Sequence, residues 1–168
     1  MAIEGNGLIA RKEFMHFVNV GTTAEPEWEL LGEGIEELSR EMNNNVETKT
    51  DILGNNSTTV TKGNQVSSFD PFKCRKDSKL FAKLYQIYTD DLELSDVEME
   101  FLEVSVFDKE SEGTYKAVKQ TGAIDLKSIG GDTTGLDMPF DVNYIGVKTK
   151  GTFAVATKTF TATEQSAG

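Results

Sequence analysis

The chain has 168 residues, 38% of them hydrophobic and 27% charged, which suits one modest core and excludes wholesale disorder. Seventeen basic against 28 acidic residues leave a net charge of −11, which excludes a clamp on nucleic-acid phosphates and docking on an anionic membrane surface. No apolar run approaches the roughly 18 residues of a bilayer span, and no basic-then-apolar leader opens the chain, so a cytoplasmic, non-exported protein is expected.

Residues 1–7, with Gly5-Asn6-Gly7, read as a flexible start. Phe14–Val20 is the first predicted strand, and it holds His16, the one histidine of the chain. Zinc needs three or four protein ligands, and His16 with the lone Cys74 cannot supply them. A histidine-based triad would have to use His16, which sits in an apolar run and reads as structural. No phosphate-cradling glycine loop and no calcium loop is present. The chain is therefore expected to have no catalytic residues, no metal and no cofactor, and not to be an enzyme. Trp28–Leu31 is a short strand closed by Gly32 and Gly34. Ile35–Met42 fits a helix or a strand equally.

Residues 43–66 form a long polar hairpin. Val46, Thr48, Thr50 and Ile52 alternate with charged residues; Gly54-Asn55-Asn56-Ser57 is a turn; Thr58 and Val60 continue the alternation. Arms of about ten residues would reach roughly 30 Å, against a radius of gyration near ~15 Å for a compact domain of this length. The hairpin must wrap the body or project from it. Val46, Thr48, Thr50, Ile52, Thr58 and Val60 are the expected subunit-interface residues, on an arm that pairs with another copy.

Residues 77–89 are the predicted helix, capped by Asp77 or Ser78. Leu80, Phe81, Leu84, Ile87 and Tyr88 share the face expected in the core. Cys74 lies beside Lys73 and Arg75, cations that would lower its pKa, but has no paired base. From Asp90 to Glu112 ten carboxylates stand against Lys109 alone, a local charge of −9 that leaves −2 for the rest of the chain. Strands follow at Met99–Phe107, at Tyr115–Ser128 with an interruption near Thr121-Gly122, at Met138–Ile145 and at Thr152–Thr161. Val147–Gly151 reads as a hairpin connection, and 162–168 as a flexible tail. The expected fold is mainly β: one domain over residues 1–168, a β-sandwich or partly closed barrel with one flanking helix and the projecting hairpin.

Several passages carry a resemblance. Trp28-Glu29-Leu30-Leu31-Gly32-Glu33-Gly34-Ile35-Glu36-Glu37-Leu38 is followed by the polar hairpin 43–66. Phe69-Asp70-Pro71-Phe72 then leads into the helix, and glycine-punctuated strands close the chain. In this layout, over nearly its full length, the chain resembles the phage major tail proteins, the tail tube proteins of long-tailed phages. The resemblance implies a structural subunit of hexameric rings, stacked as a tube that conducts DNA into the host. It also implies self-association, partners such as tape measure and tail-end proteins, and DNA passing without specific binding. The location implied is the virion tail, assembled in the host bacterial cytoplasm. Asp90, Asp91, Glu93, Asp96, Glu98, Glu100 and Glu103 are the candidate acidic residues facing the lumen or the next ring, where like charge would keep DNA sliding. The alternative function is a monomeric β-sandwich that binds a carbohydrate or cell-surface ligand, with Trp28 and Tyr115 as exposed stacking platforms.

Overall fold

The computed structural model describes residue 3 and residues 5–163, so the flexibility expected for residues 1, 2, 4 and 164–168 lies outside the described residues. The strands are β1 (Phe14–Asn19), β2 (Trp28–Leu31), β3 (Arg40–Glu41), β4 (Asn45–Thr50), β5 (Asn56–Thr61) and β6 (Val66–Phe69). After α1 (Lys79–Thr89) come β7 (Glu98–Ser111), β8 (Thr114–Leu126), β9 (Gly130–Asp132), β10 (Gly135–Asp137), β11 (Phe140–Ala154) and β12 (Thr159–Ala162). Eight strands make one antiparallel sheet in the order β2-β1-β7-β8-β11-β6-β3, with β12 on β11. The sheet coils without closing into a barrel. β4 and β5 form a separate two-stranded sheet, and so do β9 and β10.

Period-two alternation gives the sheet two apolar faces. In β7, Phe101 packs with Val18, Ile124, Val142 and the helix residues Leu80, Leu84 and Ile87. Its neighbour Leu102 packs on the other side with Phe17, Val104, Ala117 and Phe153. The second face has no helix. The sheet's own curl covers it, bringing the Phe17 and Phe153 rings within 4.7 Å although β7 and β8 lie between their strands. Each buried phenylalanine removes roughly 150–250 Å² from water, so these rings dominate the stability of the body.

The helix begins at Lys79, two residues inside the expected 77–89, with Ser78 of the two candidate caps in the N-cap position. Ser78 Oγ accepts from the Phe81 N–H at 3.2 Å. The Glu29 carboxylate on β2 accepts from the Lys79 and Leu80 N–H groups at 2.9 and 3.0 Å. A carboxylate at a helix N-terminus meets both the orphan donors and the dipole, and here it ties α1 to the sheet. Leu80, Leu84 and Ile87 are buried and Phe81 is half-buried against the core. Tyr88 is 50% exposed, contrary to its expected place in the core. It lies about 80° around the helix from Leu80 and turns outward beside Tyr85.

Three expectations are corrected. Ile35–Met42 forms neither a helix nor a full strand; only Arg40–Glu41 pairs, with β6. β8 runs through Gly122 without interruption. A Cβ there would stand 2.4 Å from Val142 Cγ1, so the glycine makes room for core packing and does not mark a turn. β11 runs through 147–151, where a connection was expected. Its polar residues are the solvent-exposed stretch of a long strand, irregular only where the register with β8 shifts between Ile145 and Thr149. The reversal into β12 falls instead at residues 155–158, with Lys158 in the left-handed region at φ 50°.

Candidate assembly surfaces

The 43–66 hairpin is an exposed arm. β4 and β5 have six residues each, shorter than the expected ten, and every one of them is exposed. The turn consumes the difference at the tip. Asp51 Oδ1 accepts from the Leu53 and Asn55 N–H groups at 2.8 and 2.9 Å, and the Asp51 N–H donates to the Asn55 carbonyl. These bonds hold the Asp51 carboxyl below the usual range, the Asn55 backbone bond contributing most. Gly54 closes the turn at φ 83°. The result is a shaped tip that presents Ile52, fully exposed, and Leu53, 82% exposed. Along the shaft Val46 faces Val60, Thr48 faces Thr58 with their hydroxyls 3.0 Å apart, and Thr50 donates to Asn56. The six predicted interface residues thus share one hairpin. Val46, Thr48, Thr50, Thr58 and Val60 line one of its faces, and Ile52 stands at the tip.

A buried polar knot that sequence reasoning missed fixes the root of the arm. Arg40 lies just before the arm and Gln65 at its returning end, after β5, and Arg40 Nε donates to Gln65 Oε1 at 2.8 Å. The Arg40 guanidinium pairs with Glu103 at 2.5 Å, donates to Gln120 Oε1, and stacks 3.7 Å from the Tyr144 ring centroid. Gln120 in turn donates to the Gly146 carbonyl at 3.0 Å, satisfying an acceptor freed by the irregularity in β11. Tyr144 and Ser67 hydroxyls meet at 2.9 Å. At the arm's base Asn43 Nδ2 donates to the Asn64 carbonyl, and Gly63 lies so close to the Asn43 carbonyl that any Cβ would clash. The charges of such a pair are costly to strand, and losing one partner typically costs 3–5 kcal/mol.

The acidic segment divides. Asp90, Asp91, Glu93, Asp96 and Glu98 are exposed, and none has an ion-pair partner among the described residues. Glu100 and Glu103 are engaged in the sheet: Glu100 with Lys119 at 3.1 Å and Asn19 at 3.0 Å, Glu103 with Arg40. They point to opposite faces of β7, so the seven candidates do not make one acidic surface. The spacing of Glu100 and Glu103 was the available signal, since an odd separation on a strand always splits the faces.

The remaining single residues are structural. Trp28 is 3% exposed and cannot serve as the stacking platform considered above; Tyr115 is half-buried. Burial, then the Asp137 carboxylate, pushes the Cys74 thiol up, which reverses the lowering expected from its cationic neighbours. Burial, with Arg11 Nη2 2.9 Å from its Nε2, lowers the His16 pKa to about 4. Among the described residues no cluster of three or more His, Cys, Asp or Glu could hold a metal, and no helix is long and apolar enough to cross a membrane.

Comparison with known protein families found no match, and comparison with curated proteins found none either. Among solved structures, the chain is similar to a chain in the cryo-EM structure of the anti-feeding prophage baseplate, 6-fold symmetrised. The two share 10% identity at a TM-score of 0.45, over 90% of this chain and 99% of that one. At that superposition the backbones have too little in common for function to pass from one to the other.

Proposed function

We propose that this chain is a structural subunit that self-assembles, through its arm, into hexameric rings stacked as a phage tail tube. The observation that carries the reading is the arm: a hydrogen-bonded hairpin whose strand residues are all exposed, locked at the root and ending in exposed Ile52 and Leu53. Isolated two-stranded hairpins are marginal in water. One held out from a folded body has its natural partner in another chain. Tape measure and tail-end proteins would complete the tail, and the subunits would assemble in the host bacterial cytoplasm before taking their place in the virion. The net charge of −11 keeps DNA passing through a lumen from sticking to it. The carbohydrate-binding alternative loses its main platform with Trp28 buried.

The test is negative-stain electron microscopy of the concentrated protein beside a variant in which residues 46–62 are replaced by a short glycine turn. Rings or tubes from the intact chain and none from the folded variant are expected. Normal tubes from the variant would remove the arm from assembly. An intact chain that stays monomeric under all conditions, with glycan binding, would replace the reading altogether.

A further inference from the structure

The helix leaves part of its face of the sheet uncovered. Beyond the Arg40 knot the same face is an open groove of about 530 Å³, floored by Phe14, His16 and Val118 and walled by Leu38 and Met42. It continues past Phe14 and Leu38 into a second hollow of about 380 Å³ beside Ile35. Its rim is basic in an otherwise acidic chain. Arg11 is fixed there, donating to the Phe14 carbonyl at 2.6 Å and the Leu38 carbonyl at 3.1 Å. Lys12 and Lys148 stand on the rim beside it. None of these three cations has a carboxylate partner among the described residues; Glu36 is the one carboxylate on the rim of the second hollow. Burial, then the Arg40 charge, holds the Lys148 ammonium below its usual range, against the opposing pull of Glu103, which also lines the groove and is paired with Arg40.

The opposite end of the sheet carries the complement. The 3-10 turn Leu94–Val97 lifts Leu94 into solvent, 81% exposed and at φ 58°. Asp90, Asp91, Glu93 and Asp96 flank it in the chain, exposed and without ion pairs among the described residues. We propose that the basic-rimmed groove of one copy receives the acidic turn of a second copy, with Leu94 entering between Phe14 and Leu38. This rests on the self-assembly reading and gives it a second contact besides the arm. It sets these carboxylates at a contact between copies, a third placement besides the lumen and the next ring.

A chain cannot fill its own groove. β7 leaves the acidic turn at Glu98 and reaches the groove floor at Ser105, roughly 20 Å away at the usual strand rise. The contact joins two different surfaces, and in its head-to-tail form it closes into a ring when the rotation between copies allows it. The arm tip is the weaker occupant. It brings one carboxylate, Asp51, whose oxygens accept from Leu53 and Asn55, against the four that flank Leu94.

The test uses two full-length charge-reversed variants, Lys12→Glu/Lys148→Glu and Glu93→Lys/Asp96→Lys, which spare the Arg11 and Arg40 contacts. Each alone should fold with a melting temperature close to the parent's and associate at least about tenfold more weakly. An equimolar mixture should regain association, because each reversed surface then meets its opposite. Sedimentation velocity reads the pairing whether or not rings form, and electron microscopy reads the rings. Rings from the parent with no effect of either reversal would overturn this contact and leave the tube reading standing. Pairing in the mixture without rings from the parent would keep the contact and sink the tube. Neither pairing nor rings removes both. Loss of assembly with Ile52→Asp/Leu53→Asp, but with neither reversal, would place the arm tip in the groove and also overturn the proposal. Should a reversed variant fail to fold, the parent's association is read against salt: weakening between low and high ionic strength is expected, and indifference to salt overturns the contact.

Discussion

In the body, β7 buries Leu102 and Val104 on one face and Phe101 on the other. In the arm, Val46 and Val60 face each other across a strand pair and both stay exposed. The backbone conformation and hydrogen-bonding pattern are the same. The difference is the third dimension: β7 has strands on both sides and apolar cover above and below, whereas β4 has one neighbour and no cover. Strand pairing alone therefore does not stabilise the body, and stability and association can be perturbed separately.

The largest effect should come from Leu84→Asp, which buries an unpaired charge beneath α1. A loss of more than about 4 kcal/mol is expected, seen as absent or insoluble expression. A soluble variant with cooperative unfolding would mean that the helix is not integral to the body. Glu103→Ala comes next, stranding the Arg40 guanidinium; a urea midpoint should report about 3 kcal/mol. Glu103→Gln, which keeps an acceptor for Arg40, should lose less. Equal losses would show that packing, not charge, holds the arm's root.

Acidification should act through His16. Its folded pKa of about 4 lies below the ordinary 6.5, so between those values the unfolded chain binds more protons. Stability is then full above about pH 6.5 and falls as pH drops toward 4, by on the order of 3 kcal/mol. His16→Gln should flatten that stretch of the pH profile, and an unchanged slope would assign it to carboxylates. The smallest effects on the body belong to the arm. Thr48→Ala should change stability by less than about 0.5 kcal/mol. Replacing 46–62 should leave the melting temperature within a few degrees while abolishing assembly. A large drop in melting temperature would erase the contrast between the two regions.

Much of this contrast was legible in the sequence. Period-two alternation without apolar mass marked the arm, and the 3.6-residue spacing of Leu80, Leu84 and Ile87 marked the helix and its buried side. The error at Tyr88 shows the resolution of that reading: the flank of a helix is settled by what packs beside it. The course of β11 was not legible, because Lys148, Thr149 and Lys150 have turn-like polarity and only their pairing with β8 makes them strand. The Arg40 knot was hidden for a similar reason. Nothing in Ser39-Arg40-Glu41 says which charge is buried, and the partner that decides it, Glu103, is 63 positions away. The groove was equally invisible, since its walls come from residues near 14, 38, 118 and 148.

The Asp51 turn has a consequence in time. A recognition segment that must order itself on contact spends entropy at each encounter and waits for the right shape to appear. Here the tip is already closed by its own hydrogen bonds in the single chain. Growth of an assembly from such subunits should proceed at the pace of collision and orientation, about 10⁵–10⁷ M⁻¹ s⁻¹ for ordinary protein pairs. No lag is expected while the arm finds its form.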